Sequence, residues 1–380
     1  MKPPQPVQES SGSHVEKKEP GSFVFAVCQH GAEKHIKQRW HQQSGPMRLA
    51  FSRPGLVSFK VNHSDVANTV SQLSGDWAVR HAAESLGTIT GELFGDLAKQ
   101  LWELAGIGWD TLHVYERDPS LPGHRGFEPG RSELADDVYQ RLLTDLPPGH
   151  AMTAQPLARV GSNVLNVMLI EPNRWLIGKH TAESPQQCHP GGVFRLPNPP
   201  EIVSRAYLKM AEALMWSEFP IKAGDRFVEI GSSPGGACQR LLDLGLKVTG
   251  VDPAEMDPRV LQHPNFEHWR AKSSAIKRKQ FRPFRWLAAD ANVAPTYTLD
   301  AVEDIVQHPT NRLRGLLLTL KMTNPEVAKQ FAAFRNRIKQ WGFDRIQIRQ
   351  LASNRNECCL AALRTSNSEL RSQESEMATQ

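Results

Sequence analysis

The feature that most constrains the fold is a short apolar run, Arg226 to Ile230, that leads directly into the glycine-rich turn GSSPGG and then into a helical pattern. A strand that ends in such a turn before a helix is the opening unit of a βαβ fold. After Glu201 helices and strands alternate: helices are predicted over about 201–216, 235–244 and 325–341, and strands in RFVEIG, KVTGVD, RWLAAD, GLLLTLK, DRIQIRQL and ECCLAAL. This alternation predicts an α/β domain with a parallel, doubly wound sheet.

The glycine-rich turn also indicates a ligand pocket, because glycines allow the backbone to approach a ligand at the carboxyl ends of the strands. The spacing is not GxGxxG and the Lys-Ser/Thr of a P-loop is missing, which argues against a dinucleotide or a triphosphate. Asp252 ends the next strand, where a carboxylate can accept both hydroxyls of a ribose, so an adenosyl ligand is favoured. Glu229 is expected to face a cationic amino group of the ligand, or to cap the turn. The structural alternative is a turn that only permits tight packing.

The length of 380 residues predicts two domains at roughly 100–200 residues each. The stretch between Ser184 and Pro200 is rich in Pro, Gly, Gln and His, which is typical of a linker or an ordered connecting loop. We therefore expect an amino-terminal α+β region over 22–195 and a catalytic domain over 196–365. The polar segments 1–21 and 366–380 are expected to be disordered tails.

Within the amino-terminal region, a strand, a turn and a helix are predicted from Ser22 onward, followed by a strand over Leu56 to Val61. Helical spacing then predicts a helix over Ala82 to Leu104. A strand over Thr111 to Tyr115 precedes an exposed loop over Asp118 to Arg131, and a hairpin is expected near Glu171-Pro172-Asn173.

The composition excludes several protein classes. No apolar run approaches the roughly 20 residues of a membrane span, so no membrane partner is expected. The five cysteines form no CxxC pair, which fits neither a disulfide framework nor a zinc site; Cys188-His189 alone is a weak metal signal, and no metal is expected. The net charge of +5 permits an anionic partner without requiring one.

Several motifs together resemble the FtsJ-type ribose 2′-O-methyltransferases. The segment SRAYLKM precedes VEIGSSPGG, and the family's Lys-Asp-Lys-Glu tetrad is matched in order by Lys209, Asp290 in RWLAAD, Lys321 in LLLTLK and Glu357 in NRNECCLAAL. The chain is most similar to the branch that modifies a cytidine of large-subunit rRNA, in which a THUMP-like region precedes the catalytic domain. The resemblance implies a class I S-adenosylmethionine-dependent methyltransferase fold and spans about 22–365.

The sequence departs from this family in two places. The acidic residue expected near the adenine after the third strand is replaced around Trp269-Arg-Ala-Lys272, and the turn reads SSPGG instead of the commoner Ala/Cys-Pro-Gly-Gly. The strand with its glycine-rich turn, together with the ends of two neighbouring strands, implies the residues that bind the cofactor. These are Glu229, Gly231, Ser232, Ser233, Pro234, Gly235, Gly236, Asp252 and Asp290.

The tetrad implies a methyl transfer in which the 2′-oxygen must be held in line with the methyl carbon and lose its proton. Lys321 is the implied base. Lys209 and partial burial favour its neutral amine, whereas Asp290 and Glu357 favour its ammonium, so the sequence leaves that balance open. The alternative for each residue alone is structural: a cap, a solvated lysine or a surface carboxylate.

A basic segment interleaved with aromatic residues indicates RNA, because cations neutralise phosphates and aromatic rings stack on unpaired bases. The candidate RNA contacts are Arg270, Lys272, Lys277, Arg278, Lys279 and Arg282, and the aromatic residues are Trp269, Phe281, Phe284 and Trp286. The alternative is a solvated loop beside core aromatics.

The leading hypothesis is a cytoplasmic S-adenosylmethionine-dependent methyltransferase of a cytidine ribose in large-subunit rRNA. Two alternatives stay open: a methyltransferase of another RNA such as tRNA, and an RNA-binding or ribosome-assembly protein that keeps the fold without turnover. A Rossmann oxidoreductase is opposed by the missing GxGxxG.

Overall fold

The computed structural model describes residues 22–42, 47–130, 132–152, 155–196, 199 and 201–365. Two seven-stranded sheets organise this part of the chain, one on each side of the connection between Thr181 and Ala206. The boundary expected between residues 195 and 196 falls within that connection. The tails predicted over 1–21 and 366–380 lie outside the described residues.

The amino-terminal domain is an α+β unit whose strands follow the spatial order β2-β3-β1-β4-β7-β6-β5. All neighbouring strands are antiparallel except β5 and β6. Helices α1 and α2 pack against one half of the sheet, and α3 and α4 against the other. Its elements are β1 Ser22–Cys28, α1 Glu33–Gln42, β2 Arg48–Arg53, β3 Leu56–Val61, α2 Val66–Ser74, β4 Val79–Thr90, α3 Phe94–Ala105, β5 Thr111–Glu116, α4 Glu133–Thr144, β6 Asn163–Glu171 and β7 Arg174–Thr181.

The predicted hairpin is confirmed as β6 and β7, but the helix predicted over Ala82 to Leu104 is wrong. Its first part belongs to β4, which pairs with β1 on one side and β7 on the other, and only the second part is helical, as α3. The Ala- and Glu-containing start of β4 has a local helical preference. Strand pairing on both sides outweighs that preference, because β propensity depends on tertiary context. The THUMP character of this domain stays a prediction.

The segment predicted as a linker or ordered connecting loop is an ordered loop over its described residues. It forms two short 3₁₀ turns, and its Gln186, Gln187 and His189 side chains are buried. Gln186 donates from Nε2 to the carbonyl of Gly192 at 3.1 Å. Polar side chains here satisfy the backbone groups of a connection that packs against the amino-terminal sheet.

The carboxyl-terminal domain confirms the predicted doubly wound α/β fold. Its strand order is β10-β9-β8-β11-β12-β14-β13, parallel throughout except that β14 runs antiparallel to both of its neighbours. Helices α5, α6 and α7 contribute to the core on one face, and α8 and α9 to the core on the other. Its elements are α5 Ala206–Ser217, β8 Arg226–Ile230, α6 Gly236–Asp243, β9 Lys247–Val251, α7 Pro258–Leu261, β10 Phe266–Trp269, β11 Trp286–Ala289, α8 Pro295–Val306, β12 Gly315–Lys321, α9 Phe331–Gln340, β13 Arg345–Arg349 and β14 Glu357–Leu363.

The helix predicted over 325–341 begins differently from the prediction. The side chain of Asn324 caps it by accepting from the backbone N–H of Glu326 at 2.9 Å. The first turns, Pro325–Gln330, are 3₁₀, and the α-helix runs only over Phe331–Gln340. A 3₁₀ turn at the start of an α-helix is common, and residue patterns alone do not separate the two geometries.

The two domains are joined by hydrogen bonds as well as by the connecting loop. Arg349, at the end of β13, donates to the carbonyl of Val79 at 3.1 Å and to Oε1 of Gln186 at 2.7 Å. The N–H of the next residue, Gln350, donates to the carbonyl of Trp77 at 2.8 Å. The amino-terminal domain is thereby fixed against the segment that leads into β14.

Candidate active site

The glycine-rich turn connects β8 to α6 and leaves no room for side chains at its key positions. Gly231 has φ +79°, and a Cβ there would lie 2.6 Å from the carbonyl oxygen of Asp290. A Cβ on Gly236 would lie 2.3 Å from Oγ of Ser204 and 2.8 Å from its carbonyl oxygen. Both glycines are therefore required by close approach of protein atoms, the tight packing that was left open as the structural alternative.

The residues between these glycines stabilise the turn itself. Ser232 is buried and donates from Oγ to the sulfur of Met256 at 3.6 Å, while Ser233 donates from Oγ to the carbonyl of Glu255 at 2.7 Å. The peptide bond between Ser233 and Pro234 is cis, and Gly235 has φ +116°. The turn is thus tied to the segment that follows β9.

Asp252 directly follows β9 and faces this turn. Its carboxylate accepts the backbone N–H of Ser233 at 3.2 Å and that of Ala254 at 2.8 Å. A carboxylate offers about four acceptor sites, so these two bonds fix its orientation and leave capacity for further donors. This position at the carboxyl edge is the one expected for a group that binds ribose hydroxyls.

Glu229 is a fully buried carboxyl group on β8. It accepts a hydrogen bond from Sγ of Cys238 at 2.9 Å, and burial raises its pKa to about 8. It lines a small cavity of about 30 Å³ together with Lys209, Ala237 and Asp290. Burial favours the neutral, protonated carboxyl in this place, and a cation bound beside it would favour its ionised form.

We expect the substitution Glu229→Gln to raise the free energy of unfolding relative to wild type, and the difference should grow as the pH rises. The raised pKa of about 8 means that the folded chain holds a proton that the unfolded chain has released above its ordinary value of 4.5. Stability from this group is therefore fully present below that ordinary value and is lost as the pH rises through 8. Urea unfolding at pH 5 and pH 8 should show wild type losing about 3 kcal/mol relative to the variant. Parallel pH profiles would contradict the buried, protonated carboxyl.

The four residues of the predicted tetrad meet at the carboxyl edge of the sheet. Lys321 is the last residue of β12 and Glu357 the first of the antiparallel β14, and the two are register partners. Asp290 directly follows β11, and Lys209 reaches this edge from α5. The resemblance to the FtsJ-type family named these four residues, and the structure brings them together.

Each lysine of the tetrad contacts both carboxylates. Lys321 Nζ lies 3.1 Å from Oδ1 of Asp290 and 3.5 Å from Oε2 of Glu357. Lys209 Nζ lies 3.2 Å from Oε1 of Glu357 and forms a shorter ion pair with Oδ2 of Asp290. The side chains are 11–23% exposed, so the four charges alternate in a largely buried cluster that one face of a substrate can reach.

The electrostatics of the tetrad determine the charge states of Lys209 and Asp290. Burial acts to lower the pKa of Lys209, but the Asp290 and Glu357 carboxylates outweigh it and raise that pKa above its usual value. Burial likewise acts to raise the pKa of Asp290, but Lys209 and Lys321 outweigh it and lower that pKa. Lys209 is therefore held as an ammonium and Asp290 as a carboxylate.

Glu212 is a residue of this site that the sequence reasoning missed. It lies on α5 one turn after Lys209, is fully buried, and accepts the backbone N–H groups of Ala352 at 2.8 Å and Ser353 at 2.7 Å. Burial raises its pKa. These two bonds hold the loop that leads into Glu357. The available signal was a lone glutamate within the apolar segment MAEALMW.

The basic segment after β10 does not form one surface beside the tetrad. Arg270 lies at the carboxyl edge and pairs with Glu255 at 3.2 Å, whereas Arg285 donates its backbone N–H to Arg226 at the start of β8, the opposite edge. Arg278 uses its guanidinium internally, donating to the carbonyls of Ser273 and Ile276. The remaining candidate side chains are exposed: Lys272, Lys277, Lys279 and Arg282.

The aromatic residues of that segment are packed within the protein. Phe281, Phe284 and Trp286 are buried, and Trp269 makes edge contacts with Phe281 and Phe284 at ring distances of 5.7 Å. The three buried rings are therefore not available for stacking on bases. The alternative of core aromatics beside a solvated loop describes these three rings.

Two further findings bear on the class of site. Over the described ranges, His, Cys, Asp and Glu side chains nowhere form a group of three or more suited to a metal ion. The same part of the chain contains no helix long and apolar enough to cross a membrane.

Comparison with known proteins assigns the carboxyl-terminal domain. Residues 202–356 match the family model described as FtsJ-like methyltransferase, which confirms the resemblance over that range; Glu357 lies one residue beyond it. Relatives named Ribosomal RNA large subunit methyltransferase M (RlmM) include that of Aromatoleum aromaticum, 32% identical over 44% of this chain and 47% of its own length. The relative from Hahella chejuensis is 25% identical over 60% of this chain and 56% of its own. These matches span about half the length of each relative.

Proposed function

We propose that this chain, whose residues 202–356 match the FtsJ-like methyltransferases, is an S-adenosylmethionine-dependent RNA ribose 2′-O-methyltransferase. The observation that carries the proposal is the convergence of Lys209, Asp290, Lys321 and Glu357, with all four lysine–carboxylate contacts within 3.5 Å. A cluster with two cations and two carboxylates at the open edge of the sheet can hold a hydroxyl group and accept its proton.

The cofactor pocket fits S-adenosylmethionine by the chemistry of its residues. The turn from Gly231 to Gly236 is bonded to Asp252, which offers acceptors for ribose hydroxyls, and Glu229 offers a buried carboxyl to the cofactor's amino group. Ser232, Ser233 and Pro234 shape the turn, and Asp290 borders both this pocket and the tetrad. When bound, the cofactor supplies an electrophilic methyl group on its sulfonium.

In the proposed mechanism Lys321 accepts the proton of the ribose 2′-hydroxyl. Lys209 remains an ammonium because its pKa is raised, so it stabilises negative charge on the 2′-oxygen. The base role of Lys321 is the one that the family resemblance implies. Asp290 and Glu357 each bridge both lysines and thereby fix their positions. Orientation of the oxygen at the edge of the sheet then accounts for much of the rate enhancement.

The proposed substrate is a cytidine of large-subunit rRNA. The names of the relatives and the resemblance support this assignment. In this proposal the amino-terminal domain is a THUMP-like RNA-binding module, and the enzyme acts in the cytoplasm where ribosomes are assembled. The proposed RNA contacts on the catalytic domain are the exposed basic side chains of the segment after β10, Arg270, Lys272, Lys277, Lys279 and Arg282, without Arg278, whose guanidinium is bonded within the protein.

The experiment that tests the function incubates the full chain with radiolabelled S-adenosylmethionine and unmodified large-subunit rRNA. Label should enter one cytidine ribose, and nuclease mapping should locate it. Unmodified tRNA is the matched RNA control. Label on tRNA alone would redirect the substrate assignment, label on a base would contradict ribose chemistry, and cofactor binding without label on either RNA would contradict the proposed activity.

A further inference from the structure

The loop between β5 and α4, residues 118–128, connects the amino-terminal domain to the tetrad. At its start Asp118 pairs with Arg80 at 2.7 Å, and both side chains are buried. At its end Glu128 accepts from Nη2 of Arg205 at 2.9 Å. The loop was predicted to be exposed, but both of its ends are fixed by ion pairs, and the second pair crosses between the domains.

The loop contacts two of the four segments that carry tetrad residues. Arg205 begins the turn that leads into Lys209, four residues later, a rise of about 6 Å along a helix. Arg355 donates from Nε to the carbonyl of Pro122 at 2.6 Å and precedes Glu357 by two residues, at most about 7 Å of chain. The loop therefore packs against the segments that lead into Lys209 and Glu357.

The tip itself is ordered by local hydrogen bonds. The N–H of His124 donates to the carbonyl of Leu121 at 3.0 Å, and that of Phe127 donates to the carbonyl of His124 at 3.1 Å. Gly123 has φ +73°, and a Cβ there would lie 2.4 Å from Nη2 of Arg355. The turn is thus packed closely against the catalytic domain and can hold a side chain in a fixed direction.

Arg125 stands at this tip with an exposed side chain and a strained backbone. Its φ of 51° and ψ of 35° are left-handed, a conformation that favours glycine or asparagine over arginine. Throughout the described ranges, no carboxylate lies within ion-pair distance of its guanidinium. An unpaired arginine in a strained, anchored turn beside an active site indicates a position selected for binding an anion.

We propose that the β5–α4 loop forms one wall of the RNA entrance and that Arg125 binds a backbone phosphate next to the target nucleotide. This inference rests on the proposed function and deepens it. A guanidinium can donate two parallel hydrogen bonds to a phosphate, which gives direction as well as charge. Arg355 of the carboxyl-terminal domain also has an exposed side chain and contacts this loop. In the proposal it belongs to the facing wall of the same entrance. The rigid contact between the domains then sets where the RNA strand lies relative to Lys209 and Glu357.

The test measures the affinity of the full chain for an unmodified large-subunit rRNA transcript over a series of salt concentrations. Arg125→Ala should weaken binding about tenfold and reduce the slope of log K against log salt by about one, while the affinity for S-adenosylmethionine stays unchanged. In methylation assays the same variant should raise KM for RNA about tenfold and change kcat less. Arg125→Lys should restore most of the affinity.

Two further variants separate charge from loop conformation and from general basicity. Arg125→Asn removes the charge but tolerates the left-handed backbone, so it should lose affinity as Arg125→Ala does. Arg159→Ala removes an exposed arginine that precedes β6, at the opposite end of the β5–β6 pair, and should bind like wild type.

The outcomes also distinguish this inference from the proposed function. Wild-type affinity and salt slope in Arg125→Ala, or normal binding by Arg125→Asn alone, would overturn the phosphate contact. If wild type binds RNA with the predicted dependence on Arg125 but transfers no methyl group, the proposed phosphate contact is supported and the proposed activity is contradicted. If wild type and Arg125→Ala methylate rRNA equally well, the proposed activity is supported and the proposed phosphate contact is contradicted.

Discussion

Lys321→Ala is expected to lower the rate of methyl transfer to RNA by about 10²–10⁴-fold, the usual contribution of a positioned proton acceptor. The affinity for S-adenosylmethionine should change less than threefold. The reason is geometric: Nζ of Lys321 contacts Asp290 and Glu357, whereas the glycine-rich turn and Asp252 belong to separate segments. Single-turnover rates with radiolabelled cofactor, together with calorimetric titration of the cofactor, measure both quantities.

Two control variants make this result specific. Lys321→Met keeps the length of the side chain and should be as inactive as Lys321→Ala if the amine itself is needed. Lys247→Ala removes an exposed lysine at the start of β9, on the opposite edge of the same sheet, and should retain full activity. Turnover close to wild type in Lys321→Ala would contradict the base role of Lys321. Lys209 would then be the next candidate for the proton acceptor.

The four tetrad residues could be named from sequence because they match the motif of the FtsJ-type family, and three of them lie together because they stand at the ends of strands. Asp290 and Lys321 end parallel strands, so they must reach the same edge, and Glu357 begins the antiparallel strand that pairs with Lys321. The pattern of apolar runs contains that information. It does not contain the side-chain directions that make each lysine contact both carboxylates.

What sequence reasoning missed depends on contacts between distant segments. The β4 residues near Ala82 are strand because β1 and β7 pair with them, a fact absent from the local pattern. Glu212 has meaning only once the loop before Glu357 is seen to donate to it. The basic residues of the segment after β10 are close together in sequence. The segment runs from one edge of the sheet to the other, however, so its two ends lie about the length of a strand apart.

The loop at residues 118–128 illustrates the same limit from the other direction. Its Pro, Gly and Asp content predicts a loop, and it is one. Composition cannot show that Arg205 and Arg355 hold it against the catalytic domain, because those residues are more than 70 positions away in the chain. The relation of the two domains therefore emerges only from the structure.

The glycine-rich turn gives the second large prediction, Gly231→Ala. Its Cβ would lie 2.6 Å from the carbonyl oxygen of Asp290, a backbone atom that cannot rotate away. The N–H of Asp290 is in turn held by the carbonyl of Ile230 at 3.0 Å. Relief of the clash must move Asp290 relative to the turn, so one methyl group should disturb both the cofactor pocket and the tetrad.

We expect Gly231→Ala to weaken S-adenosylmethionine binding at least tenfold and to lower methyl transfer by about 10²-fold, because misplacement by about 1 Å can cost that much. Gly224→Ala is the matched control. Gly224 has φ +86°, close to the +79° of Gly231, but nothing lies within 4 Å of its Cβ position. Both variants should lose about 1–2 kcal/mol of stability to the left-handed backbone, and only Gly231→Ala should lose function.

Comparing these two glycines separates conformational strain from steric contact, which a single glycine variant cannot do. Equal losses of cofactor affinity in both variants would mean that backbone strain, transmitted through β8, controls the pocket. Selective loss in Gly231→Ala would mean that the contact between the turn and Asp290 sets the distance between cofactor and base. Because Asp290 contacts both lysines, that distance links the two halves of the proposed reaction, and urea unfolding of both variants supplies the stability control.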